Sequence, residues 1–204
     1  MVRAALRNIP IAVPRMPETD ALLPYLRRID EARYYSNFGP LIGEFEARAA
    51  SSLGVAPEAL TTMSSGTAAL TLALRAGNAA PGTFCLMPAW TFSASAHAAR
   101  EAGLTPFFAD VARESWALTP EIARVALRRA PAKLGAVMPL APFGAPIDYA
   151  AWDCFAEETG IAVVIDGAAV FDTARPGRAP VALSPHATKV LGRGGGRSTG
   201  VARP

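Results

Sequence analysis

Lys189 is the residue of this chain whose type and position most directly suggest covalent chemistry. It is one of two lysines, and it follows a short apolar run at residues 181–183, outside any run of charges. Lysine serves catalysis when a carbonyl must be captured as a Schiff base, because a desolvated amine is nucleophilic and its stem is flexible. A solvated loop lysine is the alternative interpretation of the residue taken alone.

Two further groups have side chains or backbone that could bind a ligand. Asp166 ends the apolar segment GIAVVID, where a carboxylate is costly to bury without a partner. A structural salt bridge explains that residue alone as well as a functional role does. Ser65, Gly66 and Thr67 precede an Ala-rich helical pattern, and the free N–H groups of such a helix start bind phosphate. Ser and Thr are also ordinary N-caps.

The segments around these residues alternate between strand and helix patterns. Apolar runs predict strands at residues 59–63, 83–89, 104–111, 134–141, 160–168 and 181–189. Helical patterns lie between them at residues 45–53, 64–77, 92–103, 119–130 and 148–160. Apolar strands separated by single helices predict an α/β fold with a mostly parallel sheet covered on both faces. Ligands of such sheets bind at the carboxyl ends of the strands, so Asp166 and Lys189 should open onto one crevice.

The first forty residues have a different composition from the rest. Residues 1–40 hold five prolines and an aromatic cluster of Tyr34, Tyr35 and Phe38, which predicts an arm and loop leading into the first helix. Residues 41–204 are then predicted to form one α/β domain.

Charge and cysteine content exclude several classes of protein. Six of the 20 cations follow Asp172, the last acidic residue, so residues 1–172 carry 14 cations against 17 acids. No aromatic residues interleave the late cations, which argues against nucleic-acid binding. Cys85 and Cys154 lie far apart in apolar patterns, which predicts inert core thiols in a reduced compartment and argues against a metal site. No run is long enough to span a bilayer, and we expect a cytoplasmic protein.

A Schiff-base lysine, a phosphate-binding helix start and a buried carboxylate are together what pyridoxal phosphate requires. The cofactor aldehyde condenses with the lysine, the helix start takes the phosphate, and the carboxylate keeps the pyridine nitrogen protonated. An aromatic residue over the ring is the remaining part. Trp90 and Phe92, in the segment PAWTF, are the candidates, although either could be plain core.

Six motifs between residues 37 and 192 carry a resemblance to a known family. They are, in order, NFGPLIGEFE, SSGTAALTLAL, PAWTFSASA, FFADV, VVIDGAA and SPHATKVLG. With these motifs the chain resembles the DegT/DnrJ/StrS nucleotide-sugar aminotransferases, which have the aspartate-aminotransferase fold. The resemblance implies that Lys189 forms the Schiff base with pyridoxal phosphate and that Asp166 pairs with the pyridine nitrogen.

The same resemblance assigns the remaining contacts and the reaction. It implies that Gly66, Thr67 and Ser184 hold the phosphate, and that Phe92 stacks on the ring, with Trp90 as the second candidate. Members of the family transfer an amino group from glutamate to a keto group on a nucleotide-linked sugar. They act as homodimers whose active sites borrow residues from the neighbouring subunit.

Two features depart from the family pattern. Ala169 stands where the family usually has Gln or His near the phenolic oxygen of the cofactor. Residues 197–204 have little strand character where the family has an apolar strand, and the small second domain does not follow. The resemblance therefore implies that the pyridoxal-phosphate-binding α/β domain of residues 41–204 is incomplete at its C-terminus. We expect a truncated or frame-disrupted gene product or a split half. The alternative function is an inactive family member that keeps the fold and serves as an assembly or regulatory partner.

Overall fold

The computed structural model describes residue 14, residues 16–189 and the backbone of residues 199–202. This part of the chain contains six α-helices and eight β-strands. The helices are α1 (Thr19–Ala32), α2 (Pro40–Leu53), α3 (Gly66–Ala76), α4 (Ser93–Glu101), α5 (Pro120–Arg129) and α6 (Tyr149–Thr159). The strands are β1 (Leu60–Met63), β2 (Phe84–Pro88), β3 (Thr105–Ala109), β4 (Leu134–Val137), β5 (Ala162–Val163), β6 (Ile165–Asp166), β7 (Val181–Leu183) and β8 (Thr199–Ala202).

The strands form two four-stranded sheets that meet where β5 leads into β6. Their orders are β3-β2-β4-β5 and β1-β8-β7-β6. The Val164 N–H donates to the Val137 carbonyl at 3.0 Å, and Leu140 forms a parallel bridge with Asp166. β4 and the segment that follows it therefore lie beside β5 and β6. All pairs among β2 to β7 are parallel. The predicted α/β fold with a mostly parallel sheet is confirmed.

Strand β8 corrects the interpretation of residues 197–204 as lacking strand character. Thr199–Ala202 lies antiparallel between β1 and β7 and pairs with both. Strand pairing uses backbone N–H and C=O groups, which every residue except proline supplies in full. A weak apolar pattern therefore does not prevent a strand when two neighbours offer their backbone groups. The glycine-rich run at residues 192–196 lies outside the described residues.

Alternate residues along the central strands pack into two separate cores. Leu86 and Val137 belong to one core with α2, α5 and α6, whereas Cys85, Met87 and Ala136 belong to the other with α3 and α4. This alternation follows from the two-residue period of a strand. Helices consequently cover both faces of the sheet, as the continuous apolar runs predict. A ligand can therefore reach the sheet only at the ends of its strands.

Helix α1 corrects the prediction of an arm and loop for the first forty residues. It spans Thr19–Ala32, although Pro24 lies inside it, and none of its residues is buried. A proline removes one intrahelical hydrogen bond, but this 14-residue helix continues on both sides of Pro24. Residues 1–13 of the predicted arm lie outside the described residues. No described helix is both long enough and apolar enough to cross a bilayer.

The two cysteines occupy different environments. Cys85 is fully buried, and its burial raises the pKa of the thiol to about 12. Cys154 is exposed on α6, so the prediction of a core thiol is wrong there. The buried residues of α6 are Trp152 and Phe155, which belong to the core that also contains Leu86 and Val137.

Candidate functional site

The start of α3 lies directly after β1, at the carboxyl end of that strand. Ser65 is the N-cap, and its side-chain oxygen accepts the Ala68 N–H at 3.1 Å. The capping interpretation of Ser65 is therefore correct. Gly66 and Thr67 form the first turn of α3, where no carbonyl of the same helix can accept their N–H groups. Together with the positive end of the helix dipole, this turn is suited to binding an anion.

Asp166 ends β6, where the two sheets meet, and is only 5% exposed. Its backbone N–H donates to the Pro139 carbonyl at 2.8 Å, and its own carbonyl accepts the Ala141 N–H at 3.0 Å. Gly167 follows because a Cβ at that position would lie 2.7 Å from Cγ1 of Val181. These contacts fix the end of β6, and with it the carboxylate that the strand presents.

Within the described part of the chain, the Asp166 carboxylate accepts two hydrogen bonds and takes part in no salt bridge. The Ser95 hydroxyl donates to Oδ2 at 2.8 Å, and the Ala168 N–H donates to Oδ1 at 3.2 Å. Among the described residues, no Lys, Arg or His nitrogen lies within ion-pair distance of this carboxylate. The structural salt bridge that could have explained a buried aspartate is therefore not formed with any described residue.

Burial raises the pKa of the Asp166 carboxyl above its usual value. The hydrogen bonds from Ser95 and Ala168 and the positive charge of Lys189 each lower this pKa, and they offset only part of the effect of burial. A buried carboxylate with a perturbed pKa in a cleft is typical of functional sites.

Lys189 lies on the loop that follows β7, and local hydrogen bonds shape that loop. The Lys189 N–H donates to the His186 carbonyl at 2.8 Å. The Thr188 N–H donates to Nδ1 of His186 at 3.3 Å, and the His186 N–H donates to the Ser184 hydroxyl at 3.4 Å. His186 thus serves local hydrogen bonding, and the side chain of Lys189 remains exposed at the end of the turn.

A cleft of about 840 Å³ opens at these strand ends, a size usual for small-molecule sites. All the predicted site residues line it, namely Gly66, Thr67, Trp90, Phe92, Asp166, Ser184 and Lys189. Ala169, which replaces the Gln or His of the family pattern, lines it as well. The structure thus brings the predicted residues together, and the role of each one stays a prediction.

Three residues of the site were not identified from the sequence. Ser95 lies in α4 and Thr91 precedes that helix, and their hydroxyl oxygens are 2.7 Å from each other. Phe143 lines the cleft from the turn Pro142–Gly144, with its backbone at a φ of 52° and its ring 6.2 Å from that of Trp90. A Pro-Phe-Gly turn after a strand was the signal for Phe143, whereas nothing local marked Ser95 as a partner of Asp166.

The aromatic residues of the cleft differ in their surroundings. Trp90 makes an edge-to-face contact with Trp116 at 5.1 Å between ring centroids and a tilted contact with Phe143. Phe92 is 76% exposed and has no ring contact with any aromatic residue in the described part of the chain. Trp90 therefore contacts other rings, whereas Phe92 is largely exposed and contacts no other described aromatic ring.

Comparison with known protein sequences identifies a family for this chain. The sequence model of the DegT/DnrJ/EryC1/StrS aminotransferase family matches residues 18–196. The chain is 28% identical over 165 residues to dTDP-4-amino-4,6-dideoxy-D-glucose transaminase of Escherichia coli, covering 81% of this chain and 43% of that protein. It is 35% identical over 137 residues to dTDP-4-dehydro-2,3,6-trideoxy-D-glucose 4-aminotransferase of Saccharopolyspora spinosa, covering 67% of this chain and 35% of that protein.

The fold agrees with these sequence matches. The crystal structure of DesI, determined in the presence of its TDP-sugar product, matches with a TM-score of 0.76 and 30% identity, over 93% of this chain and 48% of that one. The chain thus spans less than half the length of these relatives. The aminotransferase fold implied by the sequence motifs is confirmed, and the chain belongs to the DegT/DnrJ/EryC1/StrS aminotransferase family.

Proposed function

We propose that this chain forms the pyridoxal-phosphate-binding part of an enzyme that transfers an amino group from glutamate to the keto group of a nucleotide-linked sugar. The observation that carries the proposal is the buried Asp166 carboxylate, which shares one cleft with Lys189 and with the start of α3. The names of the relatives support the substrate class, since both are transaminases of dTDP-linked sugars. We propose a homodimer as the active form, as the family resemblance implies.

The polar groups of the cleft match the chemical parts of pyridoxal phosphate. Asp166 is an ionisable group without a cationic partner among the described residues, and a protonated pyridine nitrogen is the cation it lacks. The first turn of α3 offers N–H groups to a phosphate, and Ser184 can add a hydroxyl from the opposite loop. Lys189 supplies the primary amine. The phosphate, the aldehyde and the ring nitrogen of the cofactor therefore each have a group suited to them, whereas Ala169 offers no side-chain hydrogen bond to the phenolic oxygen.

When bound, pyridoxal phosphate supplies an aldehyde that exchanges amino groups and a ring that accepts electrons. Asp166 would keep the ring nitrogen protonated. A cationic N–H against the carboxylate favours its ionised form, whereas burial alone raises the pKa of Asp166. The ionised carboxylate and the protonated nitrogen then stabilise each other, which is what an electron-accepting ring requires.

Lys189 would both hold the cofactor and move protons. Its side chain is exposed and lines the cleft. Because the side chain is flexible, the Nζ atom can separate from the cofactor and stay close to the other groups of the cleft. A free Nζ can take a proton from the α-carbon of a bound amino donor and return it at a neighbouring position. Among the groups that line the cleft, Lys189 is the primary amine able to do both.

Phe92 is the better candidate to cover the face of the cofactor ring. Its faces make no contact with the other described aromatic rings, whereas Trp90 is engaged with Trp116 and Phe143. An aromatic ring over a planar ligand contributes about 0.5–1.5 kcal/mol beyond the area it buries. Trp90 would then shape the mouth of the cleft.

Borohydride trapping tests the role assigned to Lys189, with the second lysine as a control. Lys133 is also exposed, but it lies before β4 and does not line the cleft. The purified chain is incubated with pyridoxal phosphate, reduced with borohydride and digested, and the peptides are weighed. We expect the adduct on Lys189, its loss in Lys189→Ala, and its persistence in Lys133→Ala. Equal labelling of both lysines, or none on Lys189, would refute the assignment.

The donor and acceptor are tested separately from cofactor binding. The cofactor-loaded chain is mixed with glutamate, and the release of 2-oxoglutarate is measured together with the visible absorbance band. A keto nucleotide-sugar is then added, and the amino sugar is detected by mass. We expect 2-oxoglutarate in amounts equal to the bound cofactor before any acceptor is present. A stable absorbance band without 2-oxoglutarate would retain cofactor binding and refute glutamate as the donor.

A further inference from the structure

Two hydroxyl groups connect the wall of the cleft to the buried Asp166 carboxylate. Thr91 lies before α4 and lines the cleft, and its Oγ1 is 2.7 Å from Oγ of Ser95. Ser95 lies in the first turn of α4, is 1% exposed, and donates to Oδ2 of Asp166 at 2.8 Å. The three groups form a continuous chain of short hydrogen bonds from a half-buried residue to a fully buried one. This chain is called the hydroxyl relay below.

The position of Ser95 makes a purely structural explanation weak. The neighbouring buried positions on α4 are Ala98 and Ala99, and α3 contributes Ala69 and Ala73 to the same core. Alanine therefore suits this interface, and a buried serine has a desolvation cost that alanine avoids. Ser95 does not cap its helix either, because the N-cap is Phe92 and has no side-chain cap bond. Its hydrogen bond to Asp166 is the contact that requires a hydroxyl.

Counting protons shows how the hydroxyl relay responds to the charge of Asp166. When the carboxylate is ionised, Ser95 must donate to Oδ2, and its oxygen is then free to accept the proton of Thr91. When Oδ2 carries a proton, Ser95 accepts it and donates to Thr91 instead. Thr91 can then turn its own proton to the Phe92 carbonyl, which lies 3.5 Å away. Both arrangements satisfy every hydroxyl, but the ionised state receives a charge-assisted bond that Thr91 strengthens by polarising Ser95.

We propose that Ser95 and Thr91 are positioning residues that hold Asp166 in its ionised form and fix the orientation of its carboxylate for pairing with a cationic ring nitrogen. The second half of this proposal rests on the proposed function. The first half concerns the protein alone and can be tested without cofactor. The residues act through Asp166 and are not assigned a contact with the substrate.

The first experiment measures the titration of Asp166 in the chain without cofactor, by carbon NMR of ¹³C-labelled aspartate, with Asp166→Asn identifying the signal. We expect Ser95→Ala to raise the titration midpoint by about one pH unit, because the ionised state loses a charge-assisted hydrogen bond. Thr91→Val should raise it less, since it acts through Ser95. Ser95→Thr keeps the hydroxyl and should remain close to the parent chain.

A buried hydroxyl outside the relay provides the matched control. Thr71 is buried on α3 and donates to the Thr67 carbonyl at 2.9 Å, without contact to Asp166. Thr71→Val should leave the titration of Asp166 unchanged. An unchanged midpoint in Ser95→Ala, or an equal shift in Thr71→Val, would overturn the proposal.

The second experiment asks whether the hydroxyl relay acts on the ring nitrogen. Affinities are measured for pyridoxal phosphate and for its 1-deaza analogue, which has carbon in place of that nitrogen. Ser95→Ala should weaken binding of pyridoxal phosphate by about tenfold, the equivalent of one lost hydrogen bond, and leave the analogue unaffected. If Ser95→Ala weakens the binding of both ligands equally, Ser95 has only a structural role and the second half of the proposal is overturned. If Lys189 is not labelled but the Asp166 titration shifts as expected, the proposed function fails and the protein half of this proposal stands.

Discussion

Asp166→Asn is expected to stabilise the chain in the absence of cofactor, although a buried aspartate is usually costly to replace. The amide keeps both hydrogen bonds: its Oδ1 still accepts the Ala168 N–H, and its NH₂ group donates to Ser95, whose hydroxyl can accept as well as donate. What the substitution removes is a charge that is 5% exposed and has no cationic partner within ion-pair distance among the described residues. Function rather than stability would then explain the carboxylate.

The size and the pH dependence of this effect follow from the surroundings of Asp166. A buried ionised carboxylate without an ion-pair partner costs at least as much as an unsatisfied buried polar group, about 1–3 kcal/mol, which for a chain of this size corresponds to a rise in Tm of about 2–12 °C. Burial raises the pKa of Asp166 in the folded chain. Below the ordinary aspartate pKa the carboxyl is protonated in the folded and the unfolded chain, so the fold keeps its full stability. As the pH rises through the pKa of the folded chain, the buried group becomes charged and this stability is lost. The advantage of Asn should therefore be absent near pH 4 and grow towards pH 8.

Thermal unfolding of the cofactor-free chain between pH 4 and pH 8 measures this effect, with Asp153→Asn as a control of opposite sign. The two carboxylate oxygens of Asp153 accept the N–H groups of Arg178 and Ala179, each at 2.9 Å. An amide there leaves its NH₂ facing a backbone N–H, so Asp153→Asn should lower Tm. If Asp166→Asn also lowers Tm at pH 8, the carboxylate is a structural group and the reasoning above is refuted.

Two further predictions test the turn beside the cleft and the two thiols. Gly144→Ala should destabilise the chain by about 2 kcal/mol or more, because φ is +86° and the new Cβ would lie 2.8 Å from the Ala169 carbonyl oxygen. Gly43 lies in α2, and no atom lies within 4 Å of a Cβ added there, so Gly43→Ala should stabilise the chain by up to about 1 kcal/mol. Urea titration measures the free energy of unfolding of both variants, and a change of the same sign in both would contradict this. At pH 8 a thiol reagent should modify the exposed Cys154 rapidly. Cys85 should remain unmodified until the chain unfolds, because burial raises the pKa of its thiol to about 12. Two rapidly reacting thiols in the folded chain would contradict that expectation.

The order of strands and helices could be predicted from the sequence because its signals are local. Apolar runs of strand length, the caps at Ser65 and Thr119, and the glycine after α2 are each readable within a few residues, and all of them correspond to element ends in the structure. Asp166 and Lys189 could be placed near each other for the same reason, since parallel strands end at one edge of a sheet.

Tertiary contacts decided what local patterns could not. Ser95 and Asp166 are 71 positions apart, and nothing near either residue indicates that they share a hydrogen bond. β8 forms because two strands offer it their backbone groups, and such pairing does not depend on residue type. The sequence by itself therefore determined which residues reach the end of the sheet, because that depends on local periodicity. The tertiary structure alone decided which buried groups are paired there, because pairing depends on distances between segments that the chain order does not contain.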